Sequence, residues 1–286
     1  MKYIFSLMLF ITLVSGCVYN SPREMLTNTV RVQGSSGTII SVSEFTDKLD
    51  QVLILTAAHV VSSYVPVFDI GMFPSLNISS STRTSDPNLN LPDLKIDPNL
   101  LGRDKNMKVK FVMRLIPQDY AYVEFFEIDK YGNANEFLKK RGDIVYFNHI
   151  KDLACICLYI PKGKIKYTLA KEGEAGIGDI LYAASCAAKD TPTLVKGNFA
   201  GVIRKDNFYS VFAGGVSYGC SGGGIYTEEG KLVGIILGVR VSEIPLWYLG
   251  LYRDIRGIEG LIKSIKEKKY KKHGVVLPGP KLQRMR

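Results

Sequence analysis

The sequence predicts an all-β fold, a sandwich or a barrel rather than alternating strands and helices. Three observations carry this. Short runs of apolar and β-branched residues recur along most of the chain, turn residues separate them, and a helical period emerges only near the end.

Thr29 to Gln33 alternates polar with apolar, Gly34-Ser35-Ser36-Gly37 turns the chain, and Thr38 to Val42 continues as a strand. Val52 to Leu55 forms the next strand and delivers Thr56-Ala57-Ala58-His59-Val60. Short strands follow over Lys108 to Leu115, Ala121 to Ile128, Asp143 to Phe147 and Leu153 to Tyr159. The later half repeats the pattern over Asp179 to Ala184, Leu194 to Ile203, Tyr209 to Ala213, Gly224 to Tyr226 and Lys231 to Val239. Between Pro66 and Asn106 the chain is rich in Pro, Asn, Ser and Asp with no regular apolar period, which predicts a long surface insertion. Ile255, Ile258, Leu261, Ile262 and Ile265 recur at helical spacing and predict a C-terminal amphipathic helix.

At the start, Lys2 precedes an apolar run from Tyr3 to Leu13, too short to span a bilayer core of about 30 Å. Residues 1–16 therefore read as a secretory signal. Val14-Ser15-Gly16-Cys17 is similar to the lipobox of bacterial lipoproteins, in which the cysteine is lipidated and becomes the new N-terminus. That reading makes Cys17 a lipid anchor and residues 17–28 a tether. It places the protein outside the cytoplasm as a membrane-anchored component of the cell envelope, periplasmic or on the cell surface. The alternative is an ordinary signal peptide with a cysteine near its cleavage point.

At the other end, residues 263–286 hold nine Lys or Arg and one acid, Glu267, which is +8 of the chain's net +10. This basic tail lacks the interleaved aromatics of a nucleic-acid platform, so no nucleic-acid partner is expected. A solvated tail or contact with anionic lipid remain as its readings. Besides Cys17 there are Cys155, Cys157, Cys186 and Cys220, which read as small buried apolar residues rather than a disulfide framework. The three histidines, His59, His149 and His273, have no partners at zinc-like intervals, so neither a metal nor a cofactor is expected.

Chemistry concentrates in three short motifs. Gly219-Cys220-Ser221-Gly222-Gly223-Gly224 sets a serine among small residues, as a tight turn presenting a nucleophile requires. Thr56-Ala57-Ala58-His59 closes an apolar run, and Asp152-Leu153-Ala154 opens another. A serine hydroxyl needs an adjacent base, a neutral imidazole suits that task, and a carboxylate fixes the imidazole's tautomer. The chain order His, Asp, Ser is that of the trypsin-like proteases and not of the other known solutions to this geometry.

On these motifs the chain resembles the trypsin-like serine proteases, specifically the bacterial, disulfide-poor type related to the high-temperature-requirement proteases, over about residues 29–265. Gly34 to Ile40, Gly178 to Ala183, Gly197 to Ile203 and Gly230 to Gly238 carry the similarity elsewhere. The resemblance implies two antiparallel six-stranded β-barrels, about 29–165 and 170–250, with the cleft between them. It implies a serine endopeptidase acting on polypeptides, with catalytic residues His59, Asp152 and Ser221 and an oxyanion hole formed by the N–H groups of Gly219 and Ser221. Asp152 to Ser221 is 69 residues, a familiar interval, whereas His59 to Asp152 is 93, longer than usual, and the insertion at 66–106 absorbs the excess. About twenty residues follow the helix, so an appended peptide-recognition domain is not expected.

Three positions depart from the family pattern. Cys220 stands where secreted relatives carry an Asp that pairs with a freshly cut N-terminus, and Gly224 stands where Pro is usual. Cys220 also raises the question of a thiol nucleophile, but Ser221 holds the place directly before the Gly-Gly pair. Gly215, six residues before the serine, occupies the place of trypsin's acid, so cleavage after Lys or Arg is not expected. With Ile235, Ile236, Leu237 and Gly238 it forms the candidate substrate pocket, which suggests a small or medium apolar residue before the scissile bond. Asp143 is a rival to Asp152, and His149 reads as an ordinary turn or strand residue. The competing function is a catalytically inactive protease fold that binds peptides as a lipoprotein.

Overall fold

The computed structural model describes residues 22–69, 110–148, 151–168, 170–203, 209–241, 248–256 and 258–267. Cys17 and the signal, most of the insertion, His149 and the tail beyond 267 lie outside them. Among the described residues no helix is long and apolar enough to cross a membrane.

Strands β1 (Thr29–Val32), β2 (Ser35–Thr46), β3 (Leu49–Ala57), β6 (Tyr120–Ile128), β7 (Ala134–Asn148) and β8 (Leu153–Pro161) close one antiparallel barrel in the order β1-β2-β3-β8-β7-β6. Strands β9 (Ile180–Ser185), β10 (Thr193–Ile203), β11 (Tyr209–Ala213), β12 (Gly224–Thr227), β13 (Leu232–Val241) and β14 (Tyr248–Asp254) close a second, in the order β10-β11-β14-β13-β12-β9. Two six-stranded barrels are thus present, as the resemblance implied. Among the described residues strands β4 (Ser62–Asp69) and β5 (Lys110–Pro117) pair only with each other, and Ser62–Ile116 is a unit separate from the barrels. The excursion therefore begins earlier and ends later than the sequence boundaries 66–106, because its first and last segments are apolar enough to read as ordinary strand.

The apolar runs that flank the site are continuous because both faces of their strands are buried. In β3, Val52 and Ile54 point into the first barrel beside Ile156 and Leu158 of β8. Their neighbours Leu53, Leu55 and Ala57 point outward, into a cluster shared with Ala184, Tyr226, Ile235 and Leu237 of the second barrel. Each such large side chain contributes about 1.5–3 kcal/mol on burial. The same alternation places Cys155 and Cys157 in the shared cluster, and all four described cysteines are free and buried.

Several elements differ from the sequence reading, among them β14, a strand in the second barrel where none was read. The tether contains a short helix, Pro22–Thr27, docked by Met25 in the shared cluster and by the Arg23 guanidinium donating to the Ile128 carbonyl at 2.8 Å. Six residues carry no detectable period, and the local signals are Pro22 at the helix start and the capping-box spacing of Ser21-Pro22-Arg23-Glu24. Strand β7 spans fifteen residues where Asp143 to Phe147 was expected, because its first half is charged and solvent-facing. That half is held by pairing with β6, from Ile128 opposite Ala134 to Tyr120 opposite Asp143. The C-terminal helix forms over Ile258–Glu267, with Ile265 buried in the shared cluster.

Candidate active site

His59 lies on a 3-10 turn, Ala58–Val61, that caps β3. Asp152 lies on the turn that starts β8, directly across the barrel wall, since Ala57 pairs with Leu153. Three contacts lock these turns together. The Ala58 N–H donates to the Asp152 carbonyl at 3.1 Å and the His59 N–H to Asp152 Oδ1 at 3.0 Å, while His59 Nδ1 meets Asp152 Oδ2 at 2.9 Å. An ionised carboxylate only accepts, so Nδ1 carries the hydrogen, and a neutral ring in this position has its lone pair on Nε2. Asp152 takes a left-handed backbone, φ 52°, which Asp tolerates better than most side chains. Asp143 is solvent-facing on β7 and Asp152 is the acid on His59.

Ser221 comes from the second barrel, on the loop before β12. Its N-terminal flank is a turn in which the Cys220 N–H donates to the Ser217 carbonyl at 3.2 Å, with Gly219 at φ 90°. A positive φ at the third position of such a turn is the type II geometry that calls for glycine. The Tyr218 carbonyl accepts from the Ala188 N–H at 2.6 Å. The Gly219 N–H, trans to that carbonyl, must point the opposite way. Among the described residues neither the Gly219 nor the Ser221 N–H has an acceptor. A Cβ on Gly219 would sit 2.7 Å from the Cys186 carbonyl oxygen, so packing as well as backbone conformation requires glycine.

The loop is tied to the first barrel through residues to which the motifs gave no role. Ser36 is fully buried, and its hydroxyl donates to the Gly219 carbonyl at 2.6 Å while accepting from the Cys186 N–H at 2.7 Å. Its N–H donates to the Ser221 carbonyl at 2.9 Å, and Thr56 Oγ1 donates to the Ser36 carbonyl at 2.7 Å. Ser35 Oγ adds a bond to the Ser221 carbonyl at 2.8 Å and Thr38 Oγ1 one to Gly222 at 3.1 Å. Their only sequence signal is a run of small hydroxyl residues around Gly37.

The Ser221 hydroxyl donates to the Leu237 carbonyl at 3.1 Å, and among the described residues no hydrogen bond joins it to His59. Cys220 turns the other way. Its sulfur is buried in the second barrel's core and accepts from Ser185 Oγ at 3.2 Å and the Ser217 N–H at 3.3 Å. Burial pushes the Cys186 thiol up to about 12.

The candidate pocket residues divide. Ile235 lies in the cluster shared by the barrels and Ile236 in the second barrel's core, at 0% and 1% exposure. Contrary to the sequence reading, their side chains line no open pocket, because strand alternation between two cores leaves neither a solvent face. Leu237 is buried too, and its carbonyl holds Ser221. Gly215 and Gly238 have open space where a Cβ would stand.

No family model matches the sequence, and no curated protein matches it. Solved structures do. The chain is similar to the HtrA-type protease AlgW with a tripeptide, at 13% identity and TM-score 0.51, over 86% of this chain and 62% of that one. It is also similar to an inactive serine-to-alanine form of Rv3671c from M. tuberculosis H37Rv, at 13% identity, TM-score 0.49, over 90% and 96% of the two chains. The serine endoprotease from Yersinia pestis matches at 15% identity and TM-score 0.47, over 86% of this chain and 65% of that one. This chain thus spans under two thirds of the length of AlgW and of the Yersinia enzyme. With the two closed barrels, the AlgW likeness gives this chain a chymotrypsin-like fold.

Proposed function

We propose that this protein is a serine endopeptidase in which Ser221 attacks the scissile carbonyl, His59 is the general base and Asp152 orients it. The observation that carries the reading is the double grip of Asp152 on the His59 backbone and ring, which leaves Nε2 free to take a proton. Ser221 Oγ rotates from the Leu237 carbonyl toward His59, bonds to the substrate carbon and passes its proton to Nε2. The negative oxygen that forms is met by the unoccupied N–H groups of Gly219 and Ser221, each such donor supplying about 3 kcal/mol in the transition state. The imidazolium returns the proton to the departing amine, and water then hydrolyses the acyl-enzyme by the reverse path.

Open space where a Cβ would stand at Gly215 and Gly238 leaves room for a small or medium apolar side chain before the scissile bond. Lipidation of Cys17 would hold the enzyme at a membrane of the cell envelope, where its substrates are exported polypeptides. The alternative, an inactive peptide-binding lipoprotein, draws on the Ser221 hydroxyl being turned to Leu237. Labelling the purified protein with a fluorophosphonate, with the adduct mapped by mass spectrometry, separates the two. An adduct on Ser221 that disappears in His59→Ala supports the protease; a folded protein that takes no label favours the binding module.

A further inference from the structure

Ser221 is held from two sides. The Gly222 N–H donates to the Ile236 carbonyl and ties the nucleophile to β13, where the open space at Gly238 is the proposed place for the residue before the scissile bond, on the acyl half of a substrate. On the other side Ser35 and Ser36 hold the Ser221 carbonyl from the turn between β1 and β2. A peptide crossing the nucleophile from β13 therefore runs out over that turn with its leaving-group half.

A cation stands there. The stem of Lys189 packs over Gly34, its Cδ 3.3 Å from where a Cβ would be, and its ammonium lies 5.3 Å from the centre of the Tyr218 ring. Tyr218 is 68% exposed and directly precedes Gly219. Ala188 and Lys189 are both left-handed, at φ 53° and 65°, a backbone unfavourable for side chains with a Cβ and kept only where the surroundings fix it. Here the fixing bonds are Ala188 N–H to the Tyr218 carbonyl and Arg31 Nη1 to the Lys189 carbonyl at 3.0 Å. Arg31 is itself engaged by Glu124 and Glu136, whereas among the described residues no carboxylate pairs with Lys189.

We propose that Lys189, with Tyr218 as an aromatic floor, is a specificity-determining site for an acidic side chain in the first two residues after the scissile bond. The proposal rests on the protease reading for the direction of the substrate. An exposed charge contact of this kind gives a modest, salt-sensitive preference.

The test uses quenched peptides differing only by Glu, Gln or Lys at each of those two positions. At one of them the kcat/KM should favour Glu over Gln about threefold and Glu over Lys about tenfold at low salt. Lys189→Gln should abolish the preference and Lys189→Glu reverse it, with Ser221 fluorophosphonate labelling unchanged. Equal rates at both positions, or a preference surviving Lys189→Gln, would overturn the proposal and leave the protease reading intact. In parallel, fluorescein-labelled versions of the peptides are titrated into Ser221→Ala. If nothing is cleaved or labelled, binding that favours Glu and is lost in the added Lys189→Gln supports the site while the protease reading fails; binding without that preference overturns both.

Discussion

Replacing Ser36 with Ala should cost both stability and reactivity, because its hydroxyl satisfies two buried backbone groups of the nucleophile loop. The Cys186 N–H, 2.7 Å from Ser36 Oγ, would be left buried without a partner, a loss of about 1–3 kcal/mol. The Gly219 carbonyl would lose its 2.6 Å bond, and the single Ser35 hydroxyl hydrogen, given to the Ser221 carbonyl at 2.8 Å, reaches it only at 3.3 Å, so a further loss of about 1 kcal/mol applies. The sum is roughly 2–4 kcal/mol, or a fall in Tm of roughly 5–12 °C for a domain of this size. Urea unfolding should show a lower midpoint with an unchanged slope. Since the Gly219 carbonyl sets the direction of the next peptide, fluorophosphonate labelling should also slow at temperatures where the variant is fully folded. Ser35→Ala is the control: the Ser221 carbonyl keeps the Ser36 N–H, so the loss should stay near 1 kcal/mol or below, on the order of one neutral hydrogen bond. A Ser36→Ala protein within about 0.5 kcal/mol of its parent, or a Ser35→Ala protein harmed as much, would refute this account, since surface-like substitutions stay in that range.

Three further outcomes are expected. Gly222 and Gly178 share a backbone, φ 93° and 94°, but a Cβ on Gly222 would lie 1.9 Å from the Ser36 carbonyl oxygen while one on Gly178 meets nothing within 4 Å. Gly178→Ala should cost only about 1–2 kcal/mol and Gly222→Ala more than about 4 kcal/mol, read from urea midpoints or loss of soluble protein. Because thiolates react and burial holds the Cys186 thiol up to about 12, iodoacetamide at pH 8 should leave Cys186 unmodified in the native protein and label it once unfolded, as mass spectrometry would show. At Glu124 burial raises the carboxyl pKa, but Lys139 and Arg31 outweigh it and hold the group below its ordinary value. A depressed carboxylate contributes stability above its unfolded pKa of about 4.3 and loses it as pH falls through the folded value. Glu124→Gln should therefore be less stable than the parent at pH 6, and the gap should close as unfolding midpoints are followed down to about pH 3.

The short alternating strands, the turn residues and the three motifs in the order His, Asp, Ser were legible because each is a local pattern. Strand period, turn chemistry and the glycines around Ser221 are all written within about ten residues, and the fold class followed from their sum. The proximity of His59 and Asp152 was legible only as a resemblance. Ala57 pairing with Leu153 makes it physical. Other features had little local trace. Ser36 reaches Gly219 across 183 positions, and the helix at Pro22–Thr27 depends on a Met25 site built by both barrels. The charged first half of β7 is a strand because β6 lies beside it.

Ile235 and Ile236 show the limit most clearly. An apolar run before a glycine suited a substrate pocket, and the second core that hides these side chains exists only once two barrels pack together. What the sequence determined by itself was the chemistry available and the period of the elements, since both depend on residues close in the chain. Which hydroxyls tie down the nucleophile loop, which way Ser221 turns and where Lys189 stands were decided by tertiary structure, because those contacts join segments that meet only after both barrels have closed.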